Sequence, residues 1–334
     1  MTLLITKQLN PEEIINAPYL FNKYPPLLVS SGSISPSEYT EYLVNVIQYS
    51  LNNDKKSSLL IEKGRMISGI ALLKFRSWDS DFFKLPVGSI EYLSVDGRLK
   101  GKEANELARN LVINSVNLAK KTGIKALYIS AYSKSWPLIQ AVSSLGFNFI
   151  CGEIEGISTK RDSPFLYRKN SLGKEYEFRK YKKSDYKQIM KISGEINDDV
   201  ESKFSLTPFL REKEKRVYYL ESIRNCCLGI NADNVFVVSR KEVPVGFLCY
   251  RYDRRFEDAL NKKLSFSVMG GISRAERGEN IGTHFFNWAH KQVLRTSEVI
   301  VGKVYLHNLP MIRFILGRRF THSFATLYTF CKKL

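Results

Sequence analysis

The chain has 334 residues, 44% of them hydrophobic and 12% aromatic, which allows two ordinary domains and excludes a disordered chain. A net charge of +18 favours polyanionic partners, but the basic residues are scattered and form no long block, so phosphorylated small molecules, anionic lipid and nucleic acid all stay open. Five cysteines without a CxxC pair and four histidines without ligand spacing argue against a disulfide framework and a metal site, and point to a reducing cytoplasm.

In chain order, "MTLLITKQLNPEE" lacks the basic start and small-residue cleavage site of a signal peptide. No run of about 18 apolar residues follows, so no membrane span is expected. "LLIEKGRMISGIALLKF" (59–75) reads as strand, tight polar turn, strand. "WDSDFFKLPVGSI" (78–90) leads to another strand. "SVDGRLKGKEANELARNLV" (94–112) then turns through glycine and basic residues into a helix. "IKALYISA" (124–131) is a buried-looking strand, "WPLIQAVSSLG" a short helix, and a last strand ends the series. A polar segment with Pro and Gly, 158–178, reads as a join.

After the join the series repeats. "VFVVSRKEVPVGFLCYR" (235–251) answers the first hairpin, with Gly246 lying 177 positions after Gly69. "GISRAERGENIGTHFFNWA" (271–289) answers the turn and helix, with Gly278 lying 177 after Gly101. "VGKVYLHN" (301–308) answers the next strand, with Tyr305 lying 177 after Tyr128. One offset over three segments predicts a duplication: an α+β fold with a mostly antiparallel sheet flanked by helices, in tandem domains at 1–165 and 172–334. Phe285, Trp288, Ala289 and Val293 fall at amphipathic helical spacing.

The turn before that helix carries the chemistry. A helix N-terminus presents unpaired N–H groups and the positive end of a dipole, which suits a diphosphate. Gly278 and Gly282 let backbone come close, and Asn280 is the non-glycine residue type that best tolerates the left-handed region. Aligned at the same offset, the first copy has Glu103 for Asn280 and Asn105 for Gly282. A carboxylate there opposes a diphosphate, so the first copy is expected not to bind one.

The order of elements and the loop Arg277-Gly278-Glu279-Asn280-Ile281-Gly282 resemble the GNAT superfamily of acyl-CoA-dependent N-acetyltransferases. That resemblance implies acetyl-CoA as co-substrate, held by Ile272, Arg274, Arg277, Gly278, Glu279, Asn280, Ile281, Gly282, Thr283 and Asn308. It places the family's later asparagine at Asn308, four residues after Val304, and its aromatic at Phe320. The strand "FSVMGGIS" (266–273) would offer backbone groups to the pantetheine around Ile272 and orient the acetyl carbonyl. Ile315 stands where many relatives have a tyrosine that protonates the leaving thiolate, so Tyr305, His307 and Tyr328 become the acid and base candidates. His307 could equally be a surface or capping histidine, and Tyr328 a core residue.

"WDSDFF" and "NWA" (287–289) resemble TDP-fucosamine acetyltransferase-type proteins, which implies a degenerate first domain and an active second one acting on a nucleotide-linked amino sugar. The acidic run "EINDDVE" (195–201) is either an amine-holding group or a solvated loop. Two other functions stay open: transfer from aminoacyl-tRNA, in keeping with the charge, and non-catalytic acyl-CoA binding or scaffolding, in keeping with Ile315.

Overall fold

The computed structural model describes residues 2–6, 14, 20, 26–54, 56–63, 66–160, 175–278, 280–316 and 324–334. The chain divides into two compact units, one made of Met1–Glu155, Asp258–Leu260 and Ser323–Leu334, the other of Gly156–Glu257 and Asn261–His322. Most of the polar join, 161–174, lies outside the described residues. The architecture is the mixed α+β one that the sequence predicts, antiparallel except at one junction in each unit.

In the first unit β1 (Thr2–Thr6), β2 (Ser58–Lys63), β3 (Ile67–Phe75) and β4 (Val87–Val95) pair antiparallel in sequence order. Helix α1 (Pro36–Asn53) precedes β2 and starts with a reciprocal cap between Ser35 and Glu38. Helix α2 (Ser77–Phe83) joins β3 to β4. Its "WDSDFF" residues build the turn: Arg76 Nε donates to the buried Asp79 at 2.8 Å, and Val87 N donates to Ser80 Oγ at 2.8 Å. Strand β5 (Ala126–Tyr132) lies parallel to β4, which requires the long crossover helix α3 (Gly101–Lys121). Helix α4 (Trp136–Ser144) and strand β6 (Asn148–Thr159) follow. Leu60, Leu73, Ile90, Leu111, Ile129 and Phe330 belong to one core cluster.

The second unit repeats the plan with β7 (Tyr176–Lys180), β8 (Asn234–Arg240), β9 (Val243–Tyr252), β10 (Leu264–Ile272) and β11 (Val299–Tyr305). Helices α5 (Tyr186–Asp199) and α6 (Glu212–Cys227) precede β8, α7 (Arg254–Leu260) joins β9 to β10, and α8 (Ile281–Val293) crosses over to the parallel β11. Side chains alternate across the sheet as a strand period of two requires. Phe236, Val238, Leu248 and Tyr250 pack with Phe285 and Ala289 of α8. Val237, Phe247 and Cys249 pack with Ile189, Ile192 and Ile223 of α5 and α6.

Three expectations need correction. The hairpins keep the offset read from the sequence, since Gly69 faces Val95 and Gly246 faces Ile272. The next strand does not: Val87 faces Ala126 but Leu264 faces Val299, so the second crossover is the shorter of the two. Ser89 faces Tyr128 and Phe266 faces Val301, so the counterpart of Tyr128 is Val301, and Tyr305 answers Tyr132. The first-copy loop is also shorter than the alignment implied. Five residues separate β4 from α3, and eight separate β10 from α8, which puts Glu103 and Asn105 inside the first helical turns of α3.

The third correction concerns the last strand. β12 (Phe324–Lys333), which the expected boundary at 172 leaves in the second domain, pairs antiparallel with β5 in the first unit. Ser130 Oγ and Thr329 Oγ1 lie 3.0 Å apart, and Leu334 N donates to Lys125 O at 2.8 Å.

Candidate functional site

The junction of β10 with β11 shapes the second unit's site. Their parallel register runs only from Leu264–Val299 to Ser267–Gly302, yet β10 continues to Ile272 and β11 to Tyr305. A register shift at Val268, between Ser267 and Met269, marks where β10 bends away. Beyond the bulge β10 stays paired with β9. Ser273 N donates to Val245 O at 2.8 Å, so by antiparallel alternation the backbone groups of Ile272 and Gly270 turn away from β9, toward the side where β11 has stopped pairing. An extended ligand can take them as a strand would.

Two glycines in that stretch let neighbouring chain pack closely against it. A β-carbon on Gly270 would stand 2.4 Å from Phe247 O, and one on Gly271 would stand 2.5 Å from Ile196 Cδ1 of α5. Helix α5 therefore lies directly on the bulged part of β10.

The loop between β10 and α8 has two residues of positive φ. Gly278 has φ 95° and Asn280 φ 57°, so Asn280 takes the left-handed conformation expected of it. Asn280 is the N-cap of α8 and its own side chain makes no capping hydrogen bond, and the first-turn N–H groups of Ile281, Gly282 and Thr283 have no intrahelical acceptor. A β-carbon on Gly282 would meet only Ile272 Cγ1, at 3.4 Å. Glu279 and Phe320 lie outside the described residues.

Both loop arginines are engaged by α5. Arg274 Nη2 reaches Asp199 Oδ1 at 2.5 Å and Arg277 Nη1 reaches Asp199 Oδ2 at 2.6 Å. Arg274 N donates to Glu195 Oε2 at 2.9 Å, and Arg277 Nε donates to Ile272 O at 3.0 Å. Hydrogen bonds from Arg274 and then Arg277 hold the Asp199 carboxyl below the usual range. Two carboxylates of the run 195–201 thus bind the loop itself, a third possibility beside amine binding and a solvated loop. The other side of the loop is fixed by buried Glu276, which accepts from Tyr176 Oη at 2.6 Å and Arg240 Nη1 at 3.2 Å. The Glu276 hydrogen bond pushes the Tyr176 hydroxyl up to about 12. These partners are distant in sequence and follow no motif.

The candidate acid and base groups divide between the units. Tyr305 and His307 stack at the end of β11, ring centroids 5.2 Å apart and 11° from parallel. Tyr305 Oη accepts from Lys203 N at 3.2 Å, and His307 Nε2 lies 2.8 Å from Glu201 O. Tyr328 belongs to the first unit, on β12 facing Ala131, with its ring edge-on to Phe149. Asn308 accepts from Met311 N at 3.3 Å and so caps α9 (Leu309–Leu316), the helix that carries Ile315. His290, on α8, is buried, its Nδ1 2.8 Å from Tyr250 Oη, and burial pushes it down to about 3. Among the described residues no group of three His, Cys, Asp or Glu could hold a metal ion, and no helix is long and apolar enough to cross a membrane.

No family model matches the sequence, and no curated protein matches it. Solved structures are similar in fold. A tandem GNAT protein from the clavulanic acid biosynthesis pathway has a TM-score of 0.56 at 12% identity, covering 99% of this chain and 98% of its own. A GCN5-related N-acetyltransferase from Sphaerobacter thermophilus gives 0.59 at 12% identity, covering 99% and 95%. A GNAT-family acetyltransferase from Colwellia psychrerythraea gives 0.50 at 8% identity, covering 99% and 100%. The chain has the GNAT fold.

Proposed function

We propose that the protein is an acetyl-CoA-dependent N-acetyltransferase acting on a small amine, with the second unit active and the first not binding acetyl-CoA. The observation that carries this reading is a coincidence in one unit: the strand splay after Ser267, the backbone groups of Gly270 and Ile272 that turn away from β9, and a helix start with Asn280 in the left-handed region. An extended thioester arm suits the first two, and a diphosphate suits the third.

In the reaction a neutral amine attacks the thioester carbonyl, the carbon–sulfur bond breaks, and the thiolate takes a proton. A lysine-like amine costs about 4.6 kcal/mol to deprotonate at pH 7, so a base matters more than an acid for a thiol of pKa near 8.5. His307, at the open end of β11, is the base in this reading, and Tyr305 stacked on it is the acid. Backbone N–H groups of β10 around Ile272 orient the acetyl carbonyl. The acceptor proposed is a nucleotide-linked amino sugar, whose phosphates suit a chain of charge +18.

A second reading, non-catalytic acyl-CoA binding, is favoured by one observation: Tyr305 and His307 both bond the backbone of residues 201–203. Thermal unfolding with and without acetyl-CoA tests binding. The wild type should be stabilised and Gly282→Glu should not, because the space beside Gly282 admits a side chain while a carboxylate repels the diphosphate. Equal shifts would end the acetyl-CoA reading. Release of free thiol with a panel of amines separates enzyme from binder, and His307→Ala should slow it about a hundredfold.

A further inference from the structure

One short segment of the second unit touches both halves of the candidate site. Ile196, in the last turn of α5, lies on Gly271 of the splayed strand. Asp199, three residues on, binds Arg274 and Arg277 of the loop. Glu201 O and Lys203 N then bond His307 and Tyr305 at the end of β11. Phe204 is buried and its ring packs tilted against Tyr218 of α6, ring centroids 4.3 Å apart, which anchors the far end. Residues 199–203 therefore form a strap between two anchors: Asp199 bonds the loop, Glu201 and Lys203 bond the end of β11, and Ser202 and Lys203 also bond Ser205, Leu206 and Thr207 in the turn that follows.

We propose that Asp199 is a built-in stand-in for the ligand's diphosphate, and that a diphosphate taking Arg274 and Arg277 releases the strap from the loop. The inference rests on the acetyl-CoA reading for the identity of the ligand, but not for the exchange itself. A carboxylate offers two oxygens and one charge to the two guanidinium groups; a diphosphate offers more of both, and the N–H groups of Ile281 to Thr283 add to its side alone. The Asp199 pairs are partly exposed, with side chains 26% to 52% accessible, so each is weak enough for a bound anion to displace. Displacement at residue 199 reaches Glu201 and Lys203 within one turn of chain, and so changes the bonds to His307 and Tyr305. Occupancy of the diphosphate site is thereby reported to the proposed acid and base.

The test compares wild type with Asp199→Asn, a replacement of the same shape without the charge. Calorimetry measures CoA and inorganic pyrophosphate binding to each protein, and amide hydrogen exchange follows residues 200–203. The expected result is about fivefold tighter binding of both probes by the variant. In the wild type, CoA should speed exchange at 200–203 at least severalfold, a readout that does not depend on the variant. If the wild type binds CoA while the variant binds it no better, or exchange is unchanged, the inference is overturned and the acetyl-CoA reading stands. If pyrophosphate binding shows the gain but CoA binds neither protein, the exchange stands and the acetyl-CoA reading falls. Binding of neither probe to either protein overturns both.

Discussion

The two units share a bulged central strand and a shortened parallel junction, yet they line them with different side chains. In the second unit the bulged strand presents Gly270 and Gly271. At the corresponding places the first unit carries Leu93, which packs on its core, and Ser94, whose Oγ donates to Leu20 O at 2.7 Å. The bulge itself is held by Tyr92 at φ 51°, and Tyr132, the counterpart of Tyr305, donates to buried Glu155 at 3.1 Å. The first unit's loop is three residues shorter, so no arch of backbone stands before α3. The splay recurs in both units, because twist and bulge are properties of the strand. What differs is side-chain volume and loop length.

Exchanging residues between the units breaks this comparison most directly. Gly270→Leu with Gly271→Ser, which copies Leu93 and Ser94, should remove acetyl-CoA stabilisation altogether. It should also cost about 2–3 kcal/mol, since the new β-carbons fall 2.4 Å from Phe247 O and 2.5 Å from Ile196 Cδ1. Urea unfolding beside thermal shifts measures both; retained acetyl-CoA binding would show that this edge is not the site.

A smaller effect sharpens the role of α8 as a buried element. Desolvation holds His290 at about 3 in the folded protein, against about 6.5 unfolded. Below pH 6.5 the unfolded chain binds a proton that the folded chain refuses, so this contribution to stability is full above pH 6.5 and is lost as pH falls toward 3. The expected slope approaches about 1.4 kcal/mol per pH unit between about pH 6 and 4. Urea midpoints over that range check it, and His290→Gln should flatten the slope while weakening the bond to Tyr250.

The smallest effect concerns the joints between β3 and β4 and between β9 and β10. Lys84 (φ 51°) and Asn261 (φ 50°) end α2 and α7 in the left-handed conformation, at matching places in the two copies. Lys84→Gly should stabilise the protein by about 1 kcal/mol, while Asn261→Gly should change little, because asparagine already tolerates that region. Matched thermal melts of the two variants give the difference.

Local chemistry made several features readable in the sequence. Alternation gave the hairpins, helical spacing put Phe285, Ala289 and Val293 on one buried face, and the glycines with Asn280 marked a turn of positive φ before α8. Each depends on neighbours within one or two turns of chain. The partner of Asp199, the Tyr176–Glu276 bond, the pairing of β12 with β5 and the shortening of the second crossover were set by the tertiary structure alone. Each joins groups far apart along the chain, and a side chain gives no local signal of which distant backbone or charge it will meet. The sequence by itself therefore determined a repeated series of elements and a turn of positive φ before α8. Packing decided which side chains line each splay and which carboxylate pairs with the loop arginines, because volume and charge act only at contact.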